Sequence, residues 1–205
     1  DALSLQVSVL VNNVGVNNTG NLPFLFLDQD NSDFKALIDV NINATLYVTK
    51  AVLPKLVQNP SGGLVLNLSS YTAKYPTPMN AVYSATKAFV DVWSQSLATE
   101  YASKKVRVYS LLPMWVKSDM TGFRKTSLAV CSGQKLACDT LNSVDAPLLP
   151  LAFSPFYVHK VLMALFAWIP EKVLAKQALG TMITVRKKLL ARAERSSDSN
   201  TKKQD

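Results

Sequence analysis

Residues 64–70, LVLNLSS, and residues 81–87, AVYSATK, decide how this chain folds. The first is a short apolar run that follows the turn Pro60-Ser61-Gly62-Gly63 and ends in two serines. A run of that length bounded by turn residues reads as a buried strand over residues 64–68. It delivers Ser69 and Ser70 at its carboxyl end. The second opens a long helix, predicted over residues 80–103, and sets Tyr83 and Lys87 four apart on one face. A phenol near a fixed cation loses its proton more easily, starting from an ordinary pKa of about 10. A serine hydroxyl beside that phenol can hold the oxygen of a carbonyl or an alcohol. The three side chains make a proton-transfer site without acid, histidine or metal.

The same alternation extends both ways. Residues 7–11, VSVLV, read as another buried strand, and Asn12-Asn13-Val14-Gly15 is the polar turn after it. Residues 16–31 read as a loop. Ser32 is the predicted cap of a helix running to residue 58, with Pro54 a kink or last turn. Residues 106–112 form a third strand ending at Pro113, and a helix is predicted over residues 126–142. Strand, helix, strand, helix predicts an α/β fold, a parallel sheet with helices on both faces. In such sheets sites form beyond the carboxyl ends of the strands. Asn12-Asn13, Ser70 and Pro113 therefore belong to one site.

Composition narrows the class. The chain has 205 residues, is 48% hydrophobic and 18% charged, and carries a net charge of +8. That suits one main globular domain with a real core. Arg186, Lys187, Lys188, Arg192, Arg195, Lys202 and Lys203 concentrate the positive charge at the carboxyl end. A nucleic-acid partner is accordingly not expected. Cys131 and Cys138 fall on the helix predicted over residues 126–142, about 10 Å apart along its axis, too far for a disulfide. No metal-ligand pattern occurs, so no metal is expected, and the lone His159 reads as structural. Residues 154–169 are strongly apolar but shorter than a membrane span. They read as a buried or interfacial helix. Residues 1–150 thus read as the main domain, 151–195 as an apolar then basic helical segment near substrate or membrane, and 196–205 as a disordered tail.

Four elements in order carry a resemblance. They are Tyr83-x-x-x-Lys87, the Asn-Asn-Val-Gly turn after a strand, Ser70 thirteen residues before Tyr83, and a strand running into Pro113. Over roughly residues 7–120 the chain resembles the short-chain dehydrogenase/reductases, which have a Rossmann-like fold. The resemblance implies that Tyr83 is the general acid in reduction, and that Lys87 lowers its pKa and holds the nicotinamide ribose. It implies that Ser70 orients the substrate oxygen and that Asn41 holds a water in a proton relay. Asn12, Gly15, Pro113, Val116 and Ser118 would line the cofactor; Ser118 stands where a threonine is usual, and Met114 where a glycine is frequent.

Residues 81–90, AVYSATKAFV, with Ser94-Gln95-Ser96-Leu97 and Glu100-Tyr101, resemble the branch containing 17β-hydroxysteroid dehydrogenases types 3 and 12. The resemblance implies an NADPH-dependent oxidoreductase that reduces a keto group on a lipid, a 3-oxoacyl-CoA of fatty-acid elongation or a 17-ketosteroid. It implies NADP rather than NAD, membrane association at the cytosolic side of the endoplasmic reticulum, and a homodimer. Lys202-Lys203-Gln204-Asp205 resembles a dilysine retrieval signal for that compartment. The family's glycine-rich phosphate loop has no counterpart in these residues, so the fold is expected to be incomplete at its amino end, with an open edge on the first strand. The rival reading is a truncated, non-catalytic chain acting as a binding or membrane-associated subunit.

Overall fold

The run that ends in Ser69-Ser70 becomes the second of four parallel strands in the computed structural model, which describes residues 6–18, 22–146 and 148–201. In chain order the elements are β1 (Val9–Asn12), α1 (Asn31–Ile38), a π turn (Asp39–Asn43), α2 (Ala44–Gln58), β2 (Gly63–Leu68), α3 (Ala81–Tyr101), β3 (Val106–Leu111), β4 (Trp115–Lys117), β5 (Val130–Ser132), α4 (Gly133–Ser143), β6 (Ala152–Phe153), α5 (Tyr157–Phe166) and α6 (Glu171–Thr201). The main sheet has the order β1-β2-β3-β6, all parallel. β4 and β5 form a separate parallel pair.

Alternation along the strands sends side chains to two faces. On one face Val65, Val106 and Val108 pack against Leu53 and Leu56 of α2 and Leu97 and Ala98 of α3. On the other, Leu64, Leu66, Tyr109, Leu111 and Phe153 meet Val144 at the end of α4. The turn into β2 needs glycine: Gly62 has φ +84°, and a Cβ there would lie 2.4 Å from the Lys105 carbonyl oxygen. β1 pairs only with β2 among the described residues. Val9 and Val11 stand in register with Leu64 and Leu66 yet remain 49% and 51% exposed. The open edge expected on the first strand is present, and it continues into an uncovered apolar face.

Several local expectations are corrected. The first helix starts at Asn31 after Asp30, one residue ahead of Ser32. It is not one continuous helix, because the π turn separates α1 from α2. Pro54 neither ends nor breaks α2, which runs on to Gln58; residue 50, whose carbonyl loses its usual donor, is exposed to water. The helix predicted from residue 126 begins only at Gly133, capped by Ser132, whose Oγ accepts from the Lys135 N–H at 3.0 Å. Ahead of it Cys131 lies buried in β5 and Cys138 is exposed on α4, so the two do not share a helix. The α6 backbone stays helical to Thr201, beyond residue 195 where the tail was expected to begin; Lys202 and Lys203 lie outside the described residues.

Candidate active site

The carboxyl ends of β1, β2 and β3 open on one cavity of about 870 Å³. Its wall includes Asn13, Val14 and Gly15 after β1, Ser69 and Ser70 after β2, and Pro113, Met114, Val116 and Ser118 after β3. Tyr83 and Lys87 enter from α3, and Leu136, Ala137 and Thr140 close it from α4. The lining is mostly apolar.

The adjacent serines have different partners. Ser69 Oγ donates to the Lys87 carbonyl at 2.7 Å, tying β2 to α3. Ser70 accepts from the Thr72 N–H at 3.2 Å, and its hydroxyl is close enough to the Tyr83 phenol to oppose the rise in that phenol's pKa. Of the two, Ser70 is therefore the one beside the Tyr83 phenol.

Lys87 is 6% exposed. Its Nζ donates to the Leu68 carbonyl at 2.9 Å and lies 5.8 Å from the centre of the Tyr83 ring. Burial lowers the ammonium pKa to about 8. Burial also governs the phenol: Tyr83 is pushed up to about 12, with the Ser70 hydroxyl opposing and Tyr71 adding to the rise. This corrects the expectation that Lys87 lowers the phenol. At the observed separation desolvation wins, and near neutrality Tyr83 is protonated while Lys87 is mostly charged.

Asn41 sits inside the π turn and is 1% exposed. Its Oδ1 accepts from the Val16 N–H at 2.8 Å, while Nδ2 donates to the Val16 carbonyl and to Thr86 Oγ1, both at 3.0 Å. Asparagine is a poor helix former; here the wider turn and the two-way pairing with Val16 account for it. π turns often mark functional positions in this way. A Cβ at Gly15 would come within 3.3 Å of both Asn41 Oδ1 and Lys87 Nζ. Glycine thus keeps that side of the ammonium open to the cavity.

Gly15, Ser70, Tyr83, Lys87, Pro113, Val116 and Ser118 are brought together around the cavity, and Asn41 stands just behind Gly15. Asn12 is not in the wall. Its Nδ2 donates to Thr49 Oγ1 at 2.8 Å and Asn67 Oδ1 at 2.7 Å, and Asn67 in turn donates to Ser94 Oγ at 2.8 Å. Asn13 faces the cavity instead. His159, read from the sequence as structural, is wholly buried. Its Nδ1 accepts from the Met114 N–H at 3.2 Å and its Nε2 lies 2.9 Å from the Ala129 carbonyl, so that neutral ring pins the loop after β3. Burial holds its pKa below the ordinary value. Among the described residues no group of His, Cys, Asp and Glu is arranged to hold a metal.

The strand-end cavity, the paired hydroxyls of Ser70 and Tyr83, and Lys87 one helical turn on agree with the sequence comparison: residues 2–128 match the short chain dehydrogenase family, and the chain belongs to it. The chain is 32% identical over 192 residues to the very-long-chain 3-oxoacyl-CoA reductase of Rattus norvegicus, covering 94% of this chain and 60% of that protein. It is 36% identical over 140 residues to very-long-chain 3-oxoacyl-CoA reductase-A of Danio rerio, covering 68% and 44%. It therefore spans at most about 60% of the length of these curated relatives. Among solved structures, the 3-ketoacyl-(acyl-carrier-protein) reductase from Brucella melitensis complexed with NADH superposes with TM-score 0.63 at 26% identity, over 73% of this chain and 65% of that one. A short chain dehydrogenase from Burkholderia cenocepacia in complex with NADP gives 0.68 at 24% identity, over 84% and 68%, and shares the fold.

Proposed function

We propose that this site reduces a keto group on a lipid thioester, a 3-oxoacyl-CoA, with a reduced nicotinamide dinucleotide as co-substrate. The observation that carries the reading is the Ser70–Tyr83–Lys87 cluster at the strand ends of an apolar cavity of about 870 Å³. The 3-oxoacyl substrate follows from the similarity to reductases of that name, and NADPH over NADH from the family resemblance. A 17-ketosteroid has no comparable support.

The residues present fit the nicotinamide end of such a cofactor. Asn13, Val14 and Gly15 on one side and Pro113, Val116 and Ser118 on the other would flank the ring, with Lys87 on the ribose hydroxyls. Glycine at residue 15 leaves the room this needs. The bound nicotinamide supplies the hydride. Ser70 would hold the substrate's keto oxygen, and Tyr83 Oη would give that oxygen its proton. A phenol pushed up to about 12 is in its acid form across the physiological range, so the site is set to give a proton rather than to take one. Charged Lys87 would stabilise the phenolate that is left, and Asn41 would support proton return through a water. A long acyl substrate suits work at the cytosolic surface of the endoplasmic reticulum.

The test is turnover by the full-length protein, with NADPH and either a 3-oxoacyl-CoA or a 17-ketosteroid. Tyr83→Phe is expected to abolish reduction while cofactor binding persists. Unchanged turnover in that variant would overturn the assignment, and turnover of the steroid alone would overturn the substrate. NADPH titration of the 205-residue chain measures how much of the cofactor site these residues supply.

A further inference from the structure

Lys87 and Asp91 are the only Asp, Glu, Lys or Arg side chains buried among the described residues. They lie four apart on α3, and of the two only Lys87 lines the strand-end cavity. A buried carboxylate has to be paired and hydrogen-bonded, and Asp91 is both. Its Oδ1 accepts from Ser110 Oγ at 2.6 Å, and its Oδ2 accepts from Gln95 Nε2 at 3.1 Å. Oδ2 also meets Lys74 Nζ at 2.6 Å. Ser110 belongs to β3 and Gln95 to α3, so the core itself fixes the carboxylate. Lys74 is the exposed partner. It follows the single 3₁₀ turn Tyr71–Ala73 that Ser70 caps.

That turn is fastened to α3 at both ends. On one side Ser69 Oγ donates to the Lys87 carbonyl. On the other Lys74 reaches Asp91, about 6 Å further along the helix at 1.5 Å per residue. Ser70 lies between the two ties. The turn between them is stiff. The N–H groups of Tyr71, Ala73 and Lys74 donate to the carbonyls of Pro113, Ser70 and Tyr71, and the Thr72 N–H donates to Ser70 Oγ. A displacement at Lys74 is therefore passed back to Ser70.

Stability alone does not account for the pair. Taking two charges out of water costs about what their attraction returns, and an apolar pair of similar volume often holds a fold as well. A fixed carboxylate adds a defined place for its partner. We infer that Asp91 and Lys74 are positioning residues, which act through the capped turn to hold Ser70 Oγ against Tyr83 Oη so that both can meet one keto oxygen. Neither side chain lines the cavity. The chemistry rests on the reductase reading above, whereas the placement of Ser70 can be measured without substrate or cofactor, so the two fail separately.

The experiment compares three variants of the full-length protein by steady-state kinetics, thermal melting and amide hydrogen exchange. Lys74→Met leaves the Asp91 charge unpaired. It should lower kcat by about 10- to 100-fold, leave KM for NADPH unchanged, and lower the thermal midpoint. Lys74→Met with Asp91→Asn removes both charges. Its thermal midpoint should recover while kcat stays low, and the amides of residues 71–74 should exchange faster than in wild type while those of β2 do not change. Lys74→Arg keeps the charge and should recover most of the rate lost in Lys74→Met. Recovery of kcat together with the thermal midpoint in the double variant would show the pair to be structural only and overturn the inference. Unchanged kcat in Lys74→Met, or unchanged exchange at residues 71–74 in the double variant, would overturn it as well. If the wild-type protein reduces no 3-oxoacyl-CoA, the reductase reading falls and the exchange comparison alone decides whether the pair places Ser70.

Discussion

Replacing Lys87 by methionine tests the electrostatics of the site directly. Methionine keeps the length of the stem and removes the buried charge. The ammonium of Lys87 falls from its ordinary 10.5 to about 8 because burial disfavours the charged form. At about 1.4 kcal/mol for each tenfold change in proton affinity, that is a cost of about 3 kcal/mol. Below pH 8 Lys87 is charged in both folded and unfolded chains, so the full cost is present. Between pH 8 and 10.5 the unfolded chain holds a proton that the folded chain has released, and stability rises with pH. Tyr83 acts in the opposite direction higher up. Its phenol ionises near 10 when unfolded and near 12 when folded, so stability falls between pH 10 and 12. Urea denaturation from pH 7 to pH 10 should show wild-type stability climbing above pH 8, with no such climb in Lys87→Met. At pH 7 the variant should be more stable by about 2 kcal/mol, after about 1 kcal/mol for the lost hydrogen bond to Leu68. Parallel curves for the two proteins, with no difference at pH 7, would refute the claim that desolvation governs this lysine.

Ser70→Ala removes the hydroxyl beside Tyr83 and should lower kcat about 100-fold or more in the full-length protein, with KM little changed; steady-state kinetics checks it. Asn41→Ala leaves the Val16 N–H and carbonyl without partners and should cost about 2–4 kcal/mol in urea denaturation. His159→Phe strips the Met114 N–H and the Ala129 carbonyl of their partner, with a similar loss of stability. Because burial holds the His159 pKa below 6.5, the unfolded chain takes up a proton first as pH falls, and wild-type stability should drop below pH 6.5. That slope should be missing in His159→Phe.

What could be read from the sequence depended on whether a signal was local. β2 and β3 were legible because apolar runs of strand length sit between turns, and α3 because Tyr83 and Lys87 repeat at helical spacing. β5 was hidden: its three residues are a strand only because Trp115, Val116 and Lys117 pair with them. The π turn was hidden because the apolar positions on either side keep a nearly helical rhythm. Asn12 and Asn13 could have been separated by parity. Val9 and Val11 share a face with Leu66, which lines the cavity, and Asn13 continues that face where Asn12 does not. The direction of the Tyr83 shift was beyond reach, since spacing places the cation but only the fold sets how much water remains around the phenol.

The π turn has a further consequence. An α-helix rotates by about 100° per residue, so the wider turn at Asp39–Asn43 rotates α1 against α2 by an amount that a regular helix would not. Gln29, just ahead of α1, donates to Asn18 Oδ1 at 3.0 Å, and Val16, two residues before Asn18, pairs with Asn41 inside the π turn. Deleting a single residue between 39 and 43 would let one straight helix form. It would also swing Asn41 away from Val16 and from Gly15 beside it in the cavity wall. The place of Asn41 behind Gly15 thus depends on the length of one helical turn as much as on the identity of any side chain.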